Sequence, residues 1–233
     1  MPARASGRAT LVLAVAAAFS ILLVVGVVAC GIPSLLPQAT PVQGQGKVAT
    51  EDRTTTAFRS ISVGAGMKVI VGTGGETSVT LSAQPNLLPL ITTVVQDDQL
   101  VVGVTAPGVT STEPIVLTVT VPELDTISLS AGASGILEDM GGPLAVDVSA
   151  GATMKAIGQI ESLGITASGG ANAALGDLVA GSAVVTLSGG STVTVHVTGA
   201  VTGTADAGST LVLTEKPASV DVKASGGATI QGG

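Results

Sequence analysis

"VSAGATMKAIG" (Val148–Gly158) runs through two apolar–polar steps, a cluster of small residues, and then apolar–polar steps again. A near copy, "LSAGASGIL", stands at Leu129–Leu137, and further versions follow downstream. The central glycines of these clusters are Gly132, Gly151, Gly170, Gly190, Gly208 and Gly227, separated by 19, 19, 20, 18 and 19 residues. So even a period marks a repeat architecture in which each unit is one supersecondary element.

Alignment on those glycines produces columns. Just before the cluster's Ser stand Leu129, Val148, Ala167, Leu187, Ala205 and Ala224; two residues earlier stand Ile127, Val146, Ile165, Val185, Gly203 and Val222. Between them Ser128, Asp147, Thr166, Thr186, Thr204 and Lys223 are all polar. Strict alternation reads as a strand with one buried face. After the glycine comes a column of small hydrogen-bonding residues, Ser134, Thr153, Asn172, Thr192, Thr210 and Thr229. A second apolar alternation follows it, as in Val193/Val195/Val197, and a third arm enters through Leu144, Leu163, Ala183, Val201 and Val220.

Each ~19-residue unit is therefore two or three short strands joined by tight bends, the glycines supplying positive φ or close approach. One unit cannot bury its own face, whereas stacking on its neighbours does. The predicted fold is all-β: a parallel β-helix, or solenoid, rising ~4.8 Å per coil. A right-handed coil is favoured, because the period wanders and no hexapeptide punctuation emerges. The repeats are expected over 122–233, after a β-rich N-terminal part, 58–121, that caps the first rung. Within that part "ITTVVQDDQLVVGV" (Ile91–Val104) predicts a hairpin turning at Asp97 and Asp98. "ISVGAGMKVIV" from Ile61 matches "ISLSAGASGIL" from Ile127, an early, interrupted coil. The last repeat shows no polar capping element, and an open β-edge invites pairing. Either the N-terminal strands cover it or it is a homo-oligomer contact.

Composition agrees. The 233 residues include two aromatics, Phe19 and Phe58, with no Trp or Tyr, and 32 Gly. A core without large aromatics must repeat small Val, Leu, Ile and Ala contacts, which suits regular β-structure. The formal net charge is −7. Arg4 and Arg8 precede residue 11 and every acid lies beyond residue 50, so the body alone carries −9. Such a body repels phosphate backbones, which excludes nucleic acid as a partner.

The N-terminus pairs a short basic segment with nineteen uncharged residues, Leu11–Ala29, before Cys30. This reads as an export signal over 1–29. A signal-anchor helix is the rival, since the run is long enough to cross a bilayer. "VVAC" (Val27–Cys30) resembles the bacterial lipobox, which implies cleavage before Cys30 and lipidation of that residue. Lipid on Cys30 would then make the membrane a partner, and the location is extracytoplasmic, on the cell membrane. Cys30 is the only cysteine, so the chain can form no internal disulfide. Residues 30–57 mix Pro, Gln, Gly and Thr without period and are expected to be a flexible tether. The "GQGK" inside it (Gly44–Lys47) lacks the Ser or Thr and the preceding strand of a phosphate loop.

The order "FRSISVGAGMKVIV", "LVVGV", "VTVPELDTISLSAGAS", repeated "SGGA"-type coils and "EKPASVDVKASGGATI" resembles the bacterial GIN-domain family of auto-transporter adhesin head domains. The resemblance runs from Phe58 to Gly233. It implies a β-helical fold and a cell-envelope location, and it leaves the mechanism open.

No catalytic, metal or cofactor constellation is expected. His196, the single histidine, lies between inward Val195 and Val197 and should face outward. The serines of the clusters recur with the turn and have no base beside them in the pattern, so they are read as turn residues. Glu138/Asp139, Asp147, Asp177 and Asp206 fall in different columns, unlike the converging carboxylates of a polysaccharide-active enzyme. The expected function is a non-enzymatic binding, adhesion or structural module with a glycan or envelope protein as ligand. A polysaccharide-active β-helix enzyme and an extracytoplasmic sensory domain are the alternatives.

Overall fold

The computed structural model describes residues 41–233; the predicted leader, Cys30 and the first part of the expected tether lie outside them. Regular secondary structure among the described residues is almost all β and builds a parallel solenoid of about six turns with ~19-residue coils.

The small-residue cluster sets the geometry. In each repeat two successive residues adopt left-handed backbone: Ala131 and Gly132 (φ 49° and 73°), Ala150 and Gly151, Gly169 and Gly170, Gly189 and Gly190, Ala207 and Gly208, Gly226 and Gly227. Two consecutive left-handed residues make a type I′ turn. Each turn is closed by the N–H of Ala133, Ala152, Ala171, Ser191, Ser209 or Ala228 donating to the carbonyl of the cluster's Ser or Asp, at 2.9–3.2 Å. The turns also bond to one another. The Gly132 N–H donates to the Ala150 carbonyl, Gly151 to Gly169, Gly170 to Gly189, Gly190 to Ala207 and Gly208 to Gly226. A bend that must both reverse the chain and feed the next rung tolerates few sequences, and this is why the phrase repeats.

On either side of the turns run two parallel stacks. The first arm joins β8 (Thr126–Leu129), β10 (Leu144–Val148), the C-terminal halves of β11 (Thr153–Ala167) and β12 (Asn172–Leu187), β14 (Ala200–Ala205) and β16 (Ser219–Ala224). The second joins β9 (Ser134–Met140), the N-terminal halves of β11 and β12, β13 (Thr192–Val197), β15 (Thr210–Leu213) and β17 (Thr229–Gly232). Leu144, Leu163, Ala183, Val201 and Val220 stand in register, as the aligned columns require. The wander of the period is absorbed at the corner after the second arm, where the register shifts between Lys155 and Gly158 and between Leu175 and Val179. Inside, the columns are closed: Val148, Ala167, Val185, Val193, Val195, Val201 and Leu211 are buried.

The N-terminal part contributes more than a cap. β2 (Ser60–Val63) and β3 (Lys68–Thr73), joined by their own left-handed pair at Ala65 and Gly66, form a complete rung parallel to β8 and β9. The early coil expected at Ile61 is thus a full one. β6 (Gln99–Val104) and β7 (Val116–Val121) form a further rung on the other side of β2 and β3. Rung order therefore departs from chain order, 99–121 lying outermost, then 60–73, then 126 onward. The cap proper is antiparallel: β5 (Ile91–Gln96) on β6, β4 (Ser78–Ala83) on β7, and β1 (Ala49–Asp52) on β4. Asp97 and Asp98 (φ 48° and 64°) make the β5–β6 hairpin turn, as expected.

One expectation needs correcting. The stretch 30–57 was expected to be a tether, yet from residue 41 it is laced to the cap. β1 pairs with β4, the Gly44 N–H donates to the Thr110 carbonyl (2.8 Å), and the Asn86 side chain bonds both Gln43 and Gln45 (2.7 Å each). Beneath lies Gln84, 4% exposed. Its amide nitrogen donates to the Gly46 carbonyl and Thr112 Oγ1, and its oxygen accepts from Ser111 and the Thr112 N–H. A Cβ on Gly44 would overlap the Gln84 amide, so the glycine of "GQGK" is there for close approach. Aperiodic Gln, Gly and Thr read as solvated chain because nothing in their order reveals the edge groups they satisfy.

Candidate binding surface

Outward positions of the first arm form one continuous face. Ser62, Ser128, Asp147, Thr166, Thr186, Thr204 and Lys223 follow one another in register across seven rungs. Side chains in such a column stand ~4.8 Å apart, one rung to the next. The neighbouring outward column is uneven: Thr126, then Ala145 and Gly164, then Val184, which is 59% exposed. Where a methyl group and then a hydrogen replace full side chains, the face sinks into a groove of about 330 Å³. Its flanks carry hydroxyls from Thr126, Ser128, Thr166 and Thr186, and Asp147 is the charged residue lining it. The hydroxyls can accept and donate, the Val184 side chain supplies an apolar shelf, and the carboxylate disfavours anions.

A second depression, about 370 Å³, lies at the edge of the first arm beside Arg59, Glu123, Asp125 and Asp139. Arg59 grips Asp125 with both ends of its guanidinium (2.7 and 2.9 Å) and reaches Glu123 at 2.7 Å. Its hydrogen bonds hold the Asp125 carboxyl below the usual carboxylate range. The Nε and Nη2 donors of the cation are thus engaged within the protein. Arg59 precedes β2 and Asp125 precedes β8, and the Asp125 N–H also donates to the Arg59 carbonyl at 2.8 Å. The cluster stitches one rung to the next. It was missed in the sequence, although aligning "RSIS" from Arg59 on "DTIS" from Asp125 sets the opposite charges in equivalent positions of neighbouring rungs.

The candidates weighed in the sequence fall into structural places. His196 is half-buried between buried Val195 and Val197, in register with Val179. The Asp206 carboxylate accepts from the next N–H, Ala207, at 2.6 Å, the local capping expected when Asp replaces Ser in the turn. Asp139 sits at φ 55° with its carbonyl accepting from the Thr73 hydroxyl. Asp147 enters the groove, whereas Asp177 is exposed elsewhere. Among the described residues no group of three or more His, Cys, Asp or Glu is placed to hold a metal ion, and no helix is long and apolar enough to cross a membrane. Cys30, the expected lipidation site, is not among the described residues.

Comparison with known proteins supplies a context. Residues 57–217 match the family described as "putative auto-transporter adhesin, head GIN domain". Among solved structures, a "putative adhesin" from Bacteroides fragilis superposes with TM-score 0.65 at 17% identity, covering 81% of this chain and 98% of its own. Another, from Parabacteroides merdae, gives 0.53 at 17% identity, covering 81% and 97%. At this identity the likeness is one of fold. A search of curated proteins finds no match.

Proposed function

Since this chain belongs to the "putative auto-transporter adhesin, head GIN domain" family, we propose that it is a non-catalytic adhesion module whose contact surface is the outer face of the first arm. The observation that carries this reading is the groove over Ala145 and Gly164, flanked by a register of hydroxyls on a rigid sheet. Periodic hydroxyls beside an apolar shelf suit an extended polyhydroxyl ligand, which offers matching donors and acceptors along its length. The acidic body and Asp147 select against polyanions, so a neutral glycan of the envelope or of a neighbouring cell is the ligand class. Lipid on Cys30 would anchor the module outside the cytoplasmic membrane, in keeping with a family of adhesin-like surface proteins.

The groove can be filled without disturbing the fold. A Cβ at Gly164 would meet nothing within 4 Å, and its backbone is outside the left-handed region. Gly164→Gln should therefore abolish binding on an array of neutral glycans while leaving the unfolding midpoint unchanged. If the wild-type chain binds glycans and the variant binds them equally well, the groove is not the contact surface. If the wild type binds none, the ligand class is wrong.

A further inference from the structure

The two ends of the stack differ. At one, β1, β4 and β5 cover the rung formed by β6 and β7 with antiparallel strands. At the other, β16 and β17 pair on one side, with β14 and β15, and no described residue pairs with their second side. Side chains that are buried one rung below become exposed here. Val201 is 0% exposed but Val220, in register with it, is 46%. The family match ends at residue 217, just before this last rung.

The free edge of β16 has a specific pattern. The backbone N–H groups of Ser219 and Ser225 donate to the carbonyls of Gly199 and Ala205, which fixes the odd-numbered residues as those bonded to the rung below. By the alternation of a parallel ladder, the N–H and C=O groups of Val220, Val222 and Ala224 point away from it. Outward side chains on the strand are Ser219, Asp221 and Lys223, the last two of opposite sign and two residues apart.

We propose that β16 pairs antiparallel with β16 of a second copy of this chain, about a two-fold axis through Val222. In that register Val222 exchanges both of its backbone bonds with its own counterpart, and Val220 and Ala224 exchange theirs with each other. Every free backbone group of the three residues finds a partner. On the outer face Asp221 comes opposite the second copy's Lys223, and Lys223 opposite its Asp221. Moving the axis by one residue either way faces a charge with its like, which is destabilising. Moving it by two leaves Lys223 without an opposing carboxylate on β16. A two-fold contact uses the same edge on both copies and leaves the β1 and β5 edges of the other end out of it. The contact is thus self-complementary and closes as a dimer instead of growing into a fibre.

The test uses the full chain in detergent micelles, under mild oxidation. Directly opposed residues of a hydrogen-bonded antiparallel pair have Cα atoms ~5.5 Å apart, within disulfide reach. Val222→Cys should give a crosslink between two copies of position 222, identified by peptide mass spectrometry. Its yield should be several-fold above that of Val184→Cys, an exposed control on the same arm. Wild type, Lys223→Asp and the swap Asp221→Lys/Lys223→Asp are then compared for dimer content by chemical crosslinking. The single change should lose the dimer and the swap should regain it, since it restores opposite charges in the same register. Equal crosslinking at positions 222 and 184, or a swap no better than the single change, overturns the proposal. A wild-type chain that stays monomeric overturns it as well, and so does a different partner recovered on β16.

Discussion

Gly170 and Gly203 both have positive φ, yet a methyl group should have very different effects at the two. At Gly170 (φ 74°) a new Cβ meets nothing within 4 Å, so the whole cost lies in the left-handed backbone. That costs roughly 1–2 kcal/mol for an L-residue, and about 0.4–1 kcal/mol returns through the smaller entropy of the unfolded chain. Gly170→Ala should lose no more than about 1.6 kcal/mol, as befits a turn whose preceding position already holds Ala131, Ala150 or Ala207 at φ 49° in other rungs. At Gly203 (φ 134°) the new Cβ would overlap the Val185 carbonyl oxygen of the adjoining rung. Two rungs held by ladder bonds on both sides would have to part by more than an ångström. Lost hydrogen bonding adds roughly 1–3 kcal/mol to backbone strain of a similar roughly 1–3 kcal/mol, so Gly203→Ala should lose on the order of 3 kcal/mol or more. Gly170→Val, with its branched side chain at a left-handed position, should fall between. The assay is urea unfolding of the compact unit 39–233, followed by far-ultraviolet circular dichroism because the chain has no Trp or Tyr, with the denaturant slope checked for constancy. If Gly203→Ala costs no more than Gly170→Ala, close approach of rungs does not set the requirement for glycine.

Three other outcomes are expected. Cys30→Ala should leave the leader uncleaved or release the protein from the membrane fraction; unchanged processing and lipid labelling would show that Cys30 is not modified. Gln84→Ala strands the groups of Gly46, Ser111 and Thr112 that it bonds, at roughly 1–3 kcal/mol. Hydrogen exchange should quicken over residues 42–46 and 110–112 but stay unchanged in β12. Arg59→Gln bears on acid stability. The folded Asp125 carboxyl is lowered by Arg59, so its contribution is complete above the unfolded value of about 3.9 and disappears as pH falls through the lower folded value. The wild type should lose more stability than the variant between neutral pH and that limit, an excess that shrinks in high salt; parallel pH curves would show that the pair contributes nothing.

The repeated arms were legible because alternation and period are local properties of the chain. Columns such as Val148–Ala167–Leu187 needed no knowledge of partners, and the glycine spacing located the six turns from Gly132 to Gly227. Asp97–Asp98 was readable for the same reason. What escaped depends on contacts between distant segments. Nothing near Gln43 announces that Asn86 and Thr110 will receive it, and nothing near Arg59 reveals Asp125 except the register itself. The groove was half visible. The outward column from Ser128 to Lys223 could be assigned, but the hollow depends on Ala145 and Gly164 lying side by side at equivalent positions of adjoining rungs, which a linear reading treats as two unremarked small residues.

The displaced order of the first rungs bears on how the protein would carry load. A pull from the N-terminal side enters through Val42–Gln45 and β1, which are fastened to the cap. The rung of β2 and β3 lies behind them, held between residues 99–121 and 126–140. It cannot be drawn out until one of those neighbours has yielded, so this end resists as a block. Among the described residues the last rung has a single neighbour within its own copy, so tension there can strip the coils of that copy one by one. An adhesive contact on the first arm, several rungs from the free edge, would place the strain on the interlocked end and spare the end that unravels.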